Sequence, residues 1–500
     1  MARTYAYSAD FDKELESLFK DAKLLGEGHN GIVYEVPGNK AIKIFTDKNI
    51  CKSEADILYK VKKSKYFPRI YKNGEYYILR EMVNGKRLDH YIQENGLSQQ
   101  LIYNLYRLIN EFKALKFTKL DARCRDIYVN ENERVKVQAG VRNRELYEAT
   151  GRKGYPFPGG GCPTVSAVGF TLGGGWGYSA RLLGLGCDRL VEVELIDCNG
   201  QTIVCNKEVN EDLFWALRGC GGGNFGVVTS MTYNLPPKID MVTLVNIDFT
   251  HIDFEENVNL LEKWQEIYKV MDKRANFKLA CYNSSDRGKG VKIVGLVYGD
   301  KKLTNEILKP IKDIVSQGSY KLDYIDIFEA NKIIQDSHPE FERYKSAGRF
   351  VYKDYTREEI TKLLELIDER AEGATYTAIT FYGLGGVIKE VKSDSTAFYH
   401  RDAQFILGFQ SVWEEPRFAP VNRKWFVEKL EYIKSITDGG FINFPCEEIN
   451  SQSKSYEEEY YGENSELLKL IKEKYDKDDF FNFEQDIRIE RKLFYDFLVR

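Results

Sequence analysis

The sequence predicts an α+β fold of several domains, and three observations predict it. The chain has 500 residues, 43% hydrophobic and 30% charged, and at roughly 100–200 residues per domain that gives about three domains with real cores. Its character changes near residue 135: Lys-rich strands and helices alternate before that point, and glycines crowd in after it. From about Ile239 to Asn422 helical and strand patterns interleave with few glycine clusters.

In chain order, Leu24 to Phe45 reads as a glycine-turned hairpin followed by a strand, and Ser53 to Lys62 has helical spacing. Tyr76 to Met82 reads as a strand, and Gln99 to Leu115 as an amphipathic helix carrying Leu101, Leu105, Leu108 and Phe112 on one face. Beyond residue 135 come Gly159, Gly160 and Gly161, then Gly173, Gly174, Gly175 and Gly177, then Gly221, Gly222 and Gly223. They sit between short β-type runs such as Leu190 to Ile196 and Val227 to Tyr233. Such density implies backbone passing close to a ligand, or tight turns at positive φ. Helical runs follow at Val258 to Val270 and Arg357 to Arg370.

A net charge of −4 and a pI of about 6.0 create no general field for nucleic acid or an anionic membrane, so neither is expected as a partner. Met1 to Lys20 is polar and lacks an apolar h-region. No stretch approaches the ~18 uninterrupted apolar residues of a membrane helix. Nine cysteines without a CxxC pair argue against a zinc site or a disulfide framework and point to a reducing, cytoplasmic setting. Tyr and Phe number 33 and 29; they suit an aromatic-lined cavity, and a β-rich core would use them equally well.

Gly26-Glu27-Gly28-His29-Asn30-Gly31 is a G-x-G-x-x-G, with Val33 two residues on. A plain hairpin also explains it. Ala41-Ile42-Lys43 ends the next strand, and Glu54 lies on the following helix, placed to hold Lys43 by an ion pair. Over about Leu24 to Val137 these features resemble the N-lobe of protein kinases. The resemblance implies weak ATP binding through Gly26, Gly28 and Lys43. It breaks at Lys119-Leu120-Asp121-Ala122-Arg123-Cys124-Arg125-Asp126, where Asp126 stands in place of a metal-binding Asn, and at Ala139, which stands near the position of the DFG aspartate. Phosphoryl transfer rests on positioning and Mg²⁺, so no kinase activity is expected.

From Val135 the motifs change. Val135 to Val141 and Glu145-Leu146-Tyr147 lead to Pro158-Gly159-Gly160-Gly161-Cys162-Pro163-Thr164-Val165, then to Gly169-Phe170-Thr171-Leu172-Gly173-Gly174-Gly175-Trp176-Gly177. Gly184 to Asp188, Asp212 to Gly219, and Gly222-Gly223-Asn224-Phe225-Gly226-Val227-Val228-Thr229 follow. In this order they resemble the berberine-bridge-type FAD-linked oxidases of the vanillyl-alcohol-oxidase fold, with a PCMH-type FAD domain. The resemblance implies FAD as cofactor, held by Gly159 to Val165, Gly169, Thr171, Gly173, Gly174, Gly177 and Asn224 to Val228. In relatives carrying G-x-C-P-T-V the cysteine bonds the flavin covalently, and Cys162 holds that place; a small buried thiol is the alternative. Tyr298-Gly299-Asp300, Phe341 to Tyr352, Tyr382 to Gly386 and Thr396 to Arg401 resemble the substrate domain, and Tyr460 to Gln485 the berberine-bridge segment.

Two departures stand out. Many relatives have Asn-Tyr where this chain has Asn443-Phe444, and phenylalanine cannot take a proton. Gln410, Tyr382 and Asn443 are the catalytic candidates that remain, with Tyr399 and Glu447 as fallback polar groups, each also readable as structural. The second departure is at the front. The family's first subdomain, with its R-x-x-G-G-H-type diphosphate loop, has no counterpart, and none of His29, His90, His251, His338 and His400 sits in such a loop. Val135-Lys136-Val137 fits both resemblances, so the chain reads as a chimera joined there.

The expected organisation is a kinase-like N-lobe at 1–134, an incomplete FAD domain at 135–238, an α+β substrate domain with an antiparallel sheet at 239–440, and a returning segment at 441–500. The expected function is hydride transfer from a hydroxyl- or C–H-bearing small molecule to FAD and then to O₂. The alternative is a nucleotide-binding module without oxidase chemistry. No metal ligands are expected. The substrate and the oligomeric state stay open.

Overall fold

A computed structural model describes residues 13–28, 31–60, 68–82, 128–129, 134–315, 317–339, 341–451 and 454–489. It divides into two compact units, Met1–Asp121 and Ala122–Arg500.

The first unit is built on a five-stranded antiparallel sheet of β1 (Lys23–Gly28), β2 (Gly31–Val36), β3 (Lys40–Phe45), β4 (Ile70–Asn73) and β5 (Tyr77–Glu81), in the order β1-β2-β3-β5-β4. Ile42, Ile44, Tyr77 and Leu79 pack with Leu15 of the helix Lys13–Phe19. Phe45 and Ile78 pack with Cys51, Ala55 and Leu58 of the helix Lys48–Lys60. That helix starts ahead of the expected Ser53 because Asp47 accepts the N–H of Asn49 at 2.7 Å, an N-terminal cap that satisfies an otherwise orphaned donor. The expected helix at 99–115 and the loop at 119–126 lie outside the described residues.

The second unit holds two more sheets. The smaller comprises β6 (Tyr128–Val129), β7 (Arg134–Gln138), β8 (Leu190–Ile196), β9 (Thr202–Asn206) and β10 (Val227–Asn234), in the order β6-β7-β10-β8-β9. Because Tyr128 and Val129 pair with Lys136 and Val135, this unit begins upstream of residue 135.

The larger sheet has seven antiparallel strands: β11 (Met241–Thr250), β12 (Ala275–Ser284), β13 (Gly288–Val297), β14 (Ser319–Asp326), β15 (Arg343–Val351), β16 (Ala374–Gly383) and β17 (Phe405–Trp413). Their order is β14-β11-β13-β12-β16-β17-β15. The helices Phe254–Val270, Arg357–Glu365 and Ala419–Ile436 cover one face, where Trp264, Phe277, Phe409 and Phe426 form the core. The helix expected to reach Arg370 stops at Glu365, where the chain tightens into i→i+3 bonds such as Asp368 N–H to Glu365 O, then turns at Gly373. Leu244, Leu296 and Ile406 on the other face pack against Trp176 and Tyr178 of the glycine-rich segment.

Side-chain to backbone hydrogen bonds index that segment to the large sheet. Buried Arg181 donates to the carbonyls of Ala275, Met271 and Leu384 at 2.9, 2.8 and 2.5 Å. Trp176 donates to Gly383 O at 2.7 Å, and Asn276 donates back to Gly177 O at 3.1 Å. Farther along, buried Arg401 grips Asp188 through two 2.8 Å bonds, and Asp188 also accepts the Leu185 N–H. The helix Ser465–Tyr475 returns to the glycine-rich segment, where Lys472 bonds Asn224 O at 2.8 Å and Asp476 at 2.6 Å. No helix among the described residues is long and apolar enough to cross a membrane.

Arg181→Leu strands three buried carbonyls, each costing about 1–3 kcal/mol when unsatisfied. The expected loss is about 3 kcal/mol or more of unfolding free energy, measured as a lower urea midpoint. A midpoint unchanged from wild type contradicts this indexing role.

His400 gives the second prediction. It is buried, stacks on Phe350 at 4.1 Å, and bonds Tyr352 Oη and the carbonyls of Glu459 and Tyr460. Burial pushes its pKa down to about 4. The unfolded chain therefore binds a proton that the folded chain refuses between about pH 6.5 and 4, and stability falls as pH drops through that window. His400→Phe should flatten this part of the stability curve in denaturant titrations; an unchanged slope contradicts it.

Candidate functional site

The expected cofactor residues divide into an exposed set and a buried set. Cys162, Thr164, Val165, Gly169, Gly222, Gly223 and Val227 are exposed. The N–H groups of Cys162, Thr164, Val165, Gly222 and Gly223 donate to no protein acceptor among the described residues. A Cβ at Gly169 would meet no atom within 4 Å. Open backbone with free donors fits a planar ring system with anionic oxygens.

The rest of the expected set faces protein. A Cβ at Gly173 would strike Asn443 Oδ1 at 2.1 Å, and one at Gly177 would strike Gly159 O at 2.0 Å. Gly174 lies against Phe398 and Gly160 against Phe170 and Asn143. Pro163, Thr171, Asn224, Phe225 and Val228 are buried, Thr171 donating to Ala167 O at 2.8 Å and Asn224 accepting the Ile487 N–H at 3.0 Å. These positions hold the loop in shape. Gly161 leads toward the sheet: its Cβ position lies 3.1 Å from the Tyr178 ring and 3.5 Å from that of His338.

Of the catalytic candidates, Tyr382 and Gln410 lie on the same face of the large sheet. Tyr382 pairs with Ile406 on β17 and Gln410 with Ala378 on β16, and alternation puts 378, 382, 406 and 410 on one side. Tyr382 lies edge-on to Trp176 at 4.9 Å and 5.5 Å from the Phe444 ring. Burial pushes its pKa up to about 12, so its hydroxyl keeps its proton at neutral pH. Asn443 donates to Phe170 O at 2.8 Å. Tyr399 packs against Gly462 and His400, and exposed Glu447 pairs with Lys345 at 3.6 Å.

The structure also assembles residues that the sequence reading passed over. Lys278 on β12 is directly opposite Tyr382. His338, at the end of the helix Ile327–Asp336, donates from Nδ1 to Ile334 O at 3.0 Å. Burial, then Lys278, holds its pKa below the usual histidine value, so it is neutral at pH 7 with Nε2 carrying a lone pair. Glu342 is raised by burial, with Lys278 opposing. Cys162 keeps solvent access as a residue, yet neighbouring protein desolvates its sulfur: burial raises the thiol, Lys278 opposes and Glu342 adds. A lysine inside the otherwise apolar run Phe277–Tyr282 was the one signal available in sequence.

In the first unit, Gly26 and Gly28 lie in β1 opposite Val33 and Gly31, and Lys43 pairs with Glu54 at 2.6 Å.

Comparison with known proteins agrees with this geometry. The FAD binding domain family matches residues 115–206, and the berberine and berberine-like family matches 440–488. The uncharacterized FAD-linked oxidoreductase YgaK of Bacillus subtilis (strain 168) is 29% identical over 404 residues, covering 79% of this chain and 85% of that protein. Chitooligosaccharide oxidase superposes with a TM-score of 0.65 at 21% identity, covering 73% of this chain and 80% of the other. The glucooligosaccharide oxidase of Acremonium strictum gives 0.65 at 20% identity over the same shares. The chain thus has the fold of these flavin oxidases, carrying an FAD-binding domain and a berberine-like segment. It is an FAD-dependent oxidoreductase.

Proposed function

We propose that the chain oxidises a hydroxyl-bearing small molecule against the exposed backbone of Cys162–Val165, Gly169 and Gly222–Gly223. The observation that carries this reading is the convergence of Cys162, Tyr178, His338, Lys278 and Tyr382 beside that open backbone. Bound there, FAD supplies a two-electron acceptor whose reoxidation by O₂ gives H₂O₂. The free N–H groups of Cys162, Thr164 and Val165 would hold its electron-rich oxygens, and Cys162 would tether the ring through its sulfur, the thiol hydrogen and the displaced ring hydrogen leaving with two electrons to O₂. Phe444 fills the space against Gly348 and takes no proton. His338 takes that part: its free Nε2 accepts the substrate hydroxyl proton as the carbon loses hydride. Tyr382 and Gln410, both neutral, donate hydrogen bonds to the substrate oxygen, and Asn443 positions the Phe170 loop.

A second reading concerns the first unit alone. The Lys43–Glu54 ion pair and the β1-β2-β3-β5-β4 sheet support a kinase-like nucleotide lobe, fused ahead of the oxidase and without phosphoryl transfer. The family match from residue 115 and the β6–β7 pairing favour a junction upstream of Val135.

Three outcomes are expected. Acid-precipitated protein stays yellow and Cys162→Ala releases its colour to the supernatant; free extraction of flavin from the wild type removes the covalent link. His338→Asn lowers kcat about 10²–10⁴-fold and removes an acid limb that lies below the ordinary histidine range, whereas an unchanged pH profile clears His338 of the role. Labelled phosphate from MgATP is not transferred to protein substrates; transfer abolished by Lys43→Ala would overturn the inactive-lobe reading.

A further inference from the structure

The sheet face that meets the glycine-rich segment carries two lysines in an unusual setting. Lys278 on β12 is paired with Val294 on β13, and Lys292 stands two residues from Val294 on the same strand. The two are therefore diagonal neighbours on one face, with backbones about 7–8 Å apart. Both are half-buried. Neither makes an ion pair or a side-chain hydrogen bond among the described residues.

The acidic groups near them are engaged or displaced. Asp248, opposite Lys292, accepts Tyr282 Oη at 3.1 Å and pairs with Arg287 at 3.3 Å. Glu342 faces Lys278 without forming an ion pair, and burial favours its neutral form. Burial also pushes Lys292 down, against the pull of Asp248, with Lys278 and Arg287 adding to the push. Lys321, in the same row on the edge strand β14, shows the contrast: it is exposed and paired with Asp323 at 3.3 Å. A lysine that merely solvates the sheet looks like Lys321. Two unpaired ammoniums placed side by side and half-desolvated are costly unless an anion completes them.

Aromatic rings border the pair. Tyr382 stands directly across β12 from Lys278, and Tyr282 and Tyr376 stack at 5.9 Å on the same face. Tyr178 rises from the glycine-rich segment beside Cys162. We propose that Lys278 and Lys292 form a receptor for a carboxylate carried by an aromatic substrate, holding it beside Cys162 and His338. The placement as substrate rests on the oxidase reading above; the anion receptor itself does not.

The test is calorimetric titration of the full chain with 4-hydroxyphenylacetate and with its neutral amide, alongside flavin content from absorbance. The acid should bind at least tenfold more tightly than the amide, with an advantage that shrinks as salt rises. Lys278→Met and Lys292→Met should each remove most of that advantage, while Lys278→Arg keeps it and flavin content stays at the wild-type value. Equal affinity for acid and amide, no measurable binding of either, or an acid preference that survives in the double Met variant overturns the receptor. A lysine-dependent acid preference in a chain that holds no flavin keeps the receptor and removes the oxidase reading. Full flavin content without acid preference does the reverse.

Discussion

Arg181 is the residue on which the candidate site depends. Its guanidinium forms no ion pair among the described residues and spends its donors on three carbonyls. Two of these flank the strands that matter: Ala275 opens β12, which carries Lys278, and Leu384 follows β16, which carries Tyr382. Tyr178 lies three residues before Arg181 and Cys162 farther back along the same segment. One fixed planar group thus sets the distance between the open backbone and the sheet face. A lysine has no fork to reach three carbonyls at once, and Trp176 and Asn276 reinforce the same alignment from either side.

With that alignment in place, burial divides the labour among the polar groups. Tyr178, Tyr382 and Cys162 are all pushed upward by desolvation and stay protonated at neutral pH. His338 is pushed the other way and stays neutral. The same physical cause yields donors on one side and an acceptor on the other, because desolvation always disfavours the charged form. Lys292 follows the same rule, burial pushing it downward against the pull of Asp248.

Much of this was legible in the chain. The strands Leu190–Ile196 and Val227–Asn234 follow their β-branched runs, and the motif around Cys162 located the open backbone. The glycines were only half legible: Gly173, Gly174 and Gly160 make room for Asn443, Phe398 and Phe170, and no local pattern separates that use from close approach to a ligand. The helix at Lys48 was read too late because an aspartate cap carries little signal beside the apolar spacing. His338 and Glu342 were not legible at all, and Lys278 only as a single charge within an apolar run. They come from a strand, a helix end and a loop that only the tertiary fold brings together, and a lone lysine in a strand ordinarily marks the solvent side.

The link between Lys472 and Asn224 bears on how the molecule is made. It spans 248 residues of sequence, and Ile487 closes on the same asparagine from still farther away. During synthesis at roughly 5–20 residues per second, the loop around Asn224 waits for tens of seconds before the groups that satisfy its backbone emerge. Through that interval the backbone carbonyl and the side-chain oxygen of Asn224 lack the partners they have in the finished fold. The unit therefore completes this part of its hydrogen bonding only after translation of the helix Ser465–Tyr475.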